Sequence, residues 1–199
     1  MTEKDVYNFY NEKVKILYSE IEARENTLPV ELLFEIHSAF DHLKRFHIDG
    51  EQESQCADRA FSHLKRGMLD AFKLKLKYHN KDYEKLLKMK ADLHLIDNGM
   101  FWPSLLSKRT EIIILAKEAR LYEGKKEIDG AFDNWYKTSE LIDQFENDYF
   151  KSPKIQWAKK QYLFRRFTNV IIGLIVGVIG GIIVQYFFPY FGNFLSKLK

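Results

Sequence analysis

The stretch that decides the fold lies at residues 167–188 and reads FTNVIIGLIVGVIGGIIVQYFF. No charged residue occurs from its start to Ser196, and its centre is almost wholly apolar apart from Gln185. At about 1.5 Å rise per residue, a helix of about 20 residues spans the roughly 30 Å of a bilayer core. The sequence therefore predicts one transmembrane helix at 169–189, followed by a short tail at 190–199.

Charge is distributed unevenly along the rest of the chain. All 28 acidic residues lie in the first 148 positions, and eight of the 31 basic residues lie beyond Asp148. This leaves 23 basic against 28 acidic residues in the N-terminal body, which is therefore acidic although the whole chain carries +3. An extended nucleic-acid surface is excluded for the body, because such surfaces are basic. With one cysteine, Cys56, the chain is not a disulfide scaffold.

Positive charge next to a membrane helix sets its orientation, since basic flanks stay in the cytoplasm. The basic juxtamembrane segment 151–168 therefore places the N-terminal body in the cytoplasm and predicts a single-pass protein of the inner membrane. The chain opens with TEKD rather than a basic and then apolar run, so no signal peptide is expected. The alternative is a buried hairpin helix in a soluble protein. The basic residues are Lys151, Lys154, Lys159, Lys160, Arg165 and Arg166.

The body, residues 1–150, is predicted to be an all-α, cytoplasmic multi-helix bundle. Apolar residues recur at three- and four-residue steps, the spacing of one helix face. Alternating Phe, Leu and Lys at 72–78 suggest a strand, but no partner strand is evident, so this stretch is also interpreted as helical. The first helix is expected to have its N-cap at Thr2. Further helices are expected from Thr27 and Pro29 to Asp49-Gly50, from Glu51 to Tyr78, and from Asn80 to Asn98-Gly99. Two more are expected after Pro103, separated at Gly124-Lys125.

The most specific pattern in the body is a short internal repeat. AFDHLKR at 39–45 recurs as AFSHLKR at 60–66, with six of seven residues identical. A turn at Asp49-Gly50 would make the two copies antiparallel, which predicts that His42 and His63 face each other.

Three interpretations of this cluster remain open. The first is a hydrogen-bonded group that sets how two helices pack. The second is an anion site, such as a nucleotide site, formed by Arg45, Arg59 and Arg66, because guanidinium groups suit phosphate. The third is RNA cleavage, in which His42 or His63 exchanges protons and Arg59 stabilises negative charge. No metal site is expected, because no set of ligands with metal-binding spacing is evident.

The pentapeptide Arg59-Ala60-Phe61-Ser62-His63 resembles a shortened Arg-to-His motif of the HEPN ribonucleases, which are small helical bundles. The family usually has four to six residues between the two, and here there are three. A helical bundle with one glycine-rich membrane helix also resembles the membrane effectors and accessory proteins of bacterial phage defence, some of which carry degenerate HEPN-like domains. The resemblance implies a defence role.

Within the predicted span, small and amide residues recur every fourth position, which aligns them along one ridge of a helix. Glycines on such a ridge let two membrane helices approach closely. The sequence therefore predicts a homo-oligomer, with these residues at the seam and a pore as one outcome. The ridge consists of Asn169, Gly173, Gly177, Gly181 and Gln185.

These features together predict a non-enzymatic membrane effector that oligomerises through its last helix and forms or perturbs a membrane pore in antiphage defence. Its partners would be the lipid bilayer, other copies of itself, and a protein or nucleotide that triggers it; no cofactor is expected. The alternatives are a membrane-tethered HEPN-like ribonuclease and a tail-anchored adaptor that forms no pore.

Overall fold

The computed structural model describes residues 1–196, with side chains as far as residue 187. All regular structure in this part of the chain is helical, which confirms the all-α fold class: a multi-helix bundle followed by one long C-terminal helix. The helices are α1 (Glu3–Phe9), α2 (Lys15–Glu25), α3 (Val30–Asp49), α4 (Glu53–Leu87), α5 (Phe101–Gly124), α6 (Ile128–Phe145) and α7 (Pro153–Ser196), with π-helical turns at Tyr10–Val14 and Glu146–Phe150 and a 3₁₀ segment at Leu93–Gly99.

Local capping signals identify the ends of the first helices correctly. The Thr2 hydroxyl accepts a hydrogen bond from the Asp5 backbone N–H, and the Asp5 carboxylate accepts one from the Thr2 N–H. This reciprocal pair satisfies two of the donors that a helix N-terminus leaves unpaired. At the end of α3, Gly50 has a φ of +70°, a conformation that favours glycine. The chain therefore turns there as predicted.

The prediction of a separate helix from Asn80 to Gly99 is wrong. Helix α4 continues through Asn80 as one helix of 35 residues. The Asn80 side chain does not cap a new helix, because its oxygen accepts a hydrogen bond from the guanidinium of Arg109. Further along, Asp97 and Asn98 both have positive φ, so the 3₁₀ segment is interrupted and cannot extend as an α-helix. A tertiary contact here outweighs a local capping preference.

The alternating stretch 72–78 lies inside α4 and is helical, as predicted. Its central lysine, Lys75, is only 5% exposed. The Lys75 ammonium lies 3.0 Å from a carboxylate oxygen of Glu20 in α2 and 2.7 Å from one of Asp143 in α6. Because two carboxylates compensate the buried charge, a lysine is tolerated at this core-facing position.

Arg24 makes a second bridge of the same kind. Its guanidinium lies 2.6 Å from Asp82 in α4 and 2.5 Å from Glu146 in the π-helical turn after α6. Burial alone would lower the pKa of Arg24, but the hydrogen bonds and charges of Asp82 and Glu146 outweigh it and raise that pKa. Both cations line a cleft of about 630 Å³. Each of the two cations is already paired with two carboxylates. These ion pairs hold α2, α4 and α6 together.

The chain divides into two compact units. The first comprises Met1–Met89 with Pro103–Lys151, and the second comprises Lys90–Trp102 with the chain from Ser152 onward. In the first unit α4 is the central helix, with α1, α2, α3 and α6 packed against it. The largest fully buried side chains of this unit include Leu32, Leu64, Met68, Leu105, Ile112, Trp135, Ile142 and Phe145.

Helices α3 and α4 approach closely at Gly67. A Cβ at this position would lie 2.7 Å from Cδ1 of Leu32 and 2.9 Å from Cβ of Glu35, closer than real carbon contacts. Only glycine therefore fits without moving α3. This close approach brings Glu35 beside α4, where it takes part in the site described below.

In the second unit, the segment 90–102 lies along the start of α7. The Asp92 backbone N–H donates a hydrogen bond to the Ala158 carbonyl at 3.2 Å. The Asp92 carboxylate accepts one from Arg165 at 3.0 Å, and Asp97 pairs with Lys154 at 2.7 Å. Two ion pairs and a backbone bond therefore hold this segment to the helix.

Beyond these contacts α7 is exposed. Residues 167–187 carry no charge, and all except Thr168 and Gly180 are exposed. One helical region of the described chain, within Ile128–Phe187, is long and apolar enough to cross a membrane: the mean hydropathy of its most apolar 18-residue window is 2.5, and none of that window is buried. The C-terminal helix is therefore a candidate membrane span.

Helix α7 begins at Pro153, two residues into the predicted juxtamembrane segment 151–168, and runs without a break through the rest of that segment and the predicted span 169–189. From Pro153 onward the basic segment is thus a continuous helical extension of the apolar stretch. The last part of the predicted tail, residues 197–199, lies outside the described residues.

Candidate functional site

The two copies of the repeat meet across the α3–α4 pair. Because Gly50 reverses the chain, the helices are antiparallel, and the rings of His42 and His63 stack with their centroids 5.1 Å apart. The predicted meeting of the two histidines is confirmed. This places two ionisable rings from sequence positions 21 residues apart at one point of the bundle.

The partner of His63 is Glu35, which the sequence reasoning missed. Nδ1 of His63 lies 2.5 Å from a carboxylate oxygen of Glu35, and both side chains are partly buried. An ionised carboxylate only accepts hydrogen bonds, so Nδ1 carries the proton and Nε2 is left for exchange with a ligand. A signal was present: Glu35 lies seven residues, or two turns, before His42 and shares its face of α3.

His42 is in a different state from its neighbour. Burial lowers the pKa of His42 most, and the charges of His63, Arg45 and Arg59 lower it further. Its Nδ1 atom is buried without a hydrogen-bond partner among the described residues. The pair therefore combines a neutral ring with one held by a carboxylate, which is an arrangement suited to separate acid and base roles.

The three arginines proposed for anion binding are not equally available. Arg45 pairs with Asp41 at 3.1 Å, on its own helix, and Arg59 contacts Glu51 at 3.5 Å. Arg66 is exposed. Asp41 and Glu51 cancel part of the positive charge of the three arginines, which makes this group a weaker nucleotide site than its composition suggests.

Cys56 lies beside the same group and is fully buried. Its thiol is 3.7 Å from a carboxylate oxygen of Glu51, and burial together with that carboxylate raises the pKa of Cys56. The thiol therefore stays protonated near neutral pH and does not act as a nucleophile. Among the described residues no group of three or more His, Cys, Asp or Glu side chains is placed to hold a metal ion.

A third histidine, His79 of α4, was not predicted to matter. It is completely buried, and neither ring nitrogen has a hydrogen-bond partner in the described part of the chain. Its ring packs edge-to-face on Phe145 at 4.8 Å and lies 5.6 Å from Phe150. Burial, reinforced by the charges of Arg109 and Arg24, lowers the pKa of His79 to about 3. His79 is therefore neutral at physiological pH.

The glycine ridge of α7 faces open space. All five of its residues are exposed, and a Cβ at any of the three glycines would meet no atom within 4 Å. Packing within the chain therefore does not account for glycine at these positions. The ridge consists of Asn169, Gly173, Gly177, Gly181 and Gln185.

Comparison with protein-family models, with curated proteins and with solved structures finds no match to this chain. Functional inference therefore rests on the geometry of the His42–His63–Glu35 group and of α7.

Proposed function

We propose that this protein is a membrane-anchored effector that self-associates through α7 and forms or perturbs a membrane pore, in bacterial antiphage defence. The exposed, uncharged stretch 167–187 supports insertion in the bilayer, because such a surface in water would be costly. The six basic residues of the segment 151–168 support an inner-membrane location with the helical bundle in the cytoplasm.

The glycine ridge is the observation that carries self-association. Membrane helices gain packing energy by close backbone approach, and residues at every fourth position form the ridge used in right-handed crossings. Gly173, Gly177 and Gly181 leave such a surface open. Amide side chains at its two ends, Asn169 and Gln185, can hydrogen-bond between copies. The cytoplasmic bundle would then receive the protein or nucleotide trigger.

Membrane depolarisation tests this function. Expression of the full chain in bacterial cells is expected to collapse the membrane potential, read with a voltage-sensitive dye. A chain ending at Lys160 lacks the apolar helix and is expected to leave the potential unchanged. Depolarisation by the truncated chain, or an unchanged potential with abundant full-length protein in the membrane fraction, would contradict a pore function.

A membrane-tethered ribonuclease is the second candidate, favoured by the Glu35–His63 pair. Glu35 orients the ring of His63, so that Nε2 can remove or return the proton of a ribose hydroxyl, as in other carboxylate–histidine pairs. Arg59 lies one helical turn before His63, at a spacing that allows it to stabilise charge on the phosphate. This function needs no contribution from α7.

Substitution of His63 separates the two candidates. If the protein cleaves RNA, His63→Ala is expected to lower the rate by about 100-fold or more, because general acid–base catalysis typically contributes that much. Glu35→Gln should lower it less, since the ring remains but loses its orienting charge. His47→Ala is the matched control, because His47 is a more exposed histidine of α3 paired with Glu3. Cleavage that is absent, or unaffected by His63→Ala, contradicts a ribonuclease.

A further inference from the structure

A polar cavity of about 560 Å³ lies in the second unit, between the segment 90–102 and α7. Its wall from the segment carries Asp92 and His94. Its wall from α7 consists of Tyr162, Arg165, Arg166 and Asn169. It is distinct from the histidine site, which belongs to the other unit.

Most donors in this cavity are unused. Four of the lining side chains make no hydrogen bond or ion pair to any described residue: those of Arg166, His94, Tyr162 and Asn169. Arg165 uses one nitrogen on Asp92, at 3.0 Å, and a guanidinium carries five N–H donors in all. The cavity thus collects donors of several kinds without the acceptors that would satisfy them.

Its charge is positive and one of its arginines is held in place. Two arginines face one carboxylate, so the balance of these three side chains is one positive charge. The Asp92 side chain is only 11% exposed and is anchored through its own backbone bond to Ala158, so it fixes the position of Arg165. A pre-positioned guanidinium binds a phosphate with less loss of freedom than a mobile one.

The cavity also lies at a defined depth in the bilayer, given that α7 crosses a membrane as proposed above. Asn169 and Val170 line it at the point where the uncharged stretch begins. Headgroup phosphates lie at this boundary between the hydrocarbon core and water, and Tyr side chains such as Tyr162 are favoured there. Acyl chains of a lipid bound by its phosphate could run along the apolar surface of α7.

We propose that this cavity binds the phosphate of an anionic phospholipid through Arg165, Arg166 and the neighbouring donors. Asp92 is a positioning residue for Arg165. The bound lipid would join the segment 90–102 to α7 at the membrane surface. Basic pockets beside membrane helices recognise anionic headgroups by this chemistry.

The test uses the full chain in a neutral detergent. Short-chain phosphatidylglycerol, phosphatidylcholine and inorganic phosphate are added separately, and the melting temperature is followed. Phosphatidylglycerol is expected to raise it in a saturable way, whereas phosphatidylcholine and inorganic phosphate are not. Arg165→Gln/Arg166→Gln should weaken the apparent affinity by about 100-fold or more, because each arginine loses a hydrogen bond to a charged group, which contributes about 1.5–3 kcal/mol.

Two controls make the result specific. Lys159→Gln/Lys160→Gln removes the same charge from residues that do not line the cavity and should leave the affinity unchanged. Arg166→Gln alone leaves the Asp92–Arg165 ion pair intact and should weaken binding by part of the same amount, which also tests the site if the double arginine variant fails to fold. An equal response to inorganic phosphate, or equal losses in both double variants, overturns the lipid site.

Alkaline carbonate extraction of membranes separates this proposal from the one on which it rests. Full-length protein that resists extraction but shows no lipid preference refutes the headgroup site alone. Protein that is released by carbonate refutes both the membrane span and the lipid site.

Discussion

Gly177→Leu is expected to convert the full-length protein from an oligomer to a monomer in detergent. Gly177 is the middle glycine of the ridge, and a leucine there would hold two helix backbones apart, removing the close contact that stabilises membrane helix pairs. The same variant should fold normally, because a Cβ at Gly177 meets nothing within 4 Å in the single chain. Light scattering or analytical ultracentrifugation of the purified protein measures the change in mass.

Ile179→Phe is the control variant, with added bulk at a different position around the helix. Ile179 is exposed and lies about 200° around the helix from Gly177, so added bulk there should not alter the oligomer. Gly177→Ala should give an intermediate effect. Depolarisation in cells should fall in parallel with oligomer mass. A Gly177→Leu protein with the wild-type mass would refute the ridge as the seam.

Lowering the pH from 7 to about 4 is expected to destabilise the first unit by roughly 3 kcal/mol through His79 alone. The pKa of His79 is about 3 in the folded protein and 6.5 in the unfolded chain. Below pH 6.5 the unfolded state therefore binds a proton that the folded state does not, so stability is present above that pH and declines as pH falls toward 3. The cause is burial of the ring against Phe145 and Phe150, reinforced by the charges of Arg109 and Arg24, and neither ring nitrogen has a hydrogen-bond partner among the described residues.

His79→Phe should remove this dependence, because phenylalanine fills a similar space and binds no proton. The variant should lose a slope of up to about 1.4 kcal/mol per pH unit between pH 6 and 4. Denaturant unfolding, followed by the fluorescence of buried Trp135 in a chain that carries Trp102→Phe and Trp157→Phe, measures it in the same unit. His37→Phe is the control, since His37 is exposed. If His79→Phe keeps the wild-type slope, His79 is not the source of the pH dependence. The lowered pKa of His42 contributes equally to the wild-type protein and to His79→Phe.

Features that depend on neighbours along the chain were predictable. The cap at Thr2 and the turn at Gly50 follow from local propensity, and the helical interpretation of 72–78 followed from the lack of an evident partner strand. The meeting of His42 and His63 also followed, because a repeat on either side of one turn has a single antiparallel arrangement. The cap at Asn80 failed because its partner, Arg109, lies 29 residues away.

The polar chemistry of the candidate sites could not be read in this way. Glu35 and His63 are 28 residues apart, and Asp92 and Arg165 are 73 apart. Spacing within α3 places Glu35 on the face of His42, but no local pattern assigns either carboxylate to its partner on another helix. In the sequence, His79 resembles any other polar residue of a helix, and its pKa is lowered by burial and by the charges of Arg109 and Arg24, which only the folded chain brings about.

By itself, the amino-acid sequence determined the helical class, the uncharged segment of α7 and its basic flank, because these are sums over neighbouring residues and need no folded partner. The tertiary structure alone decided which charges are paired, which histidine is buried and where unused donors collect. Burial and hydrogen bonding depend on atoms brought together from distant parts of the chain, and those contacts exist only once the helices have packed.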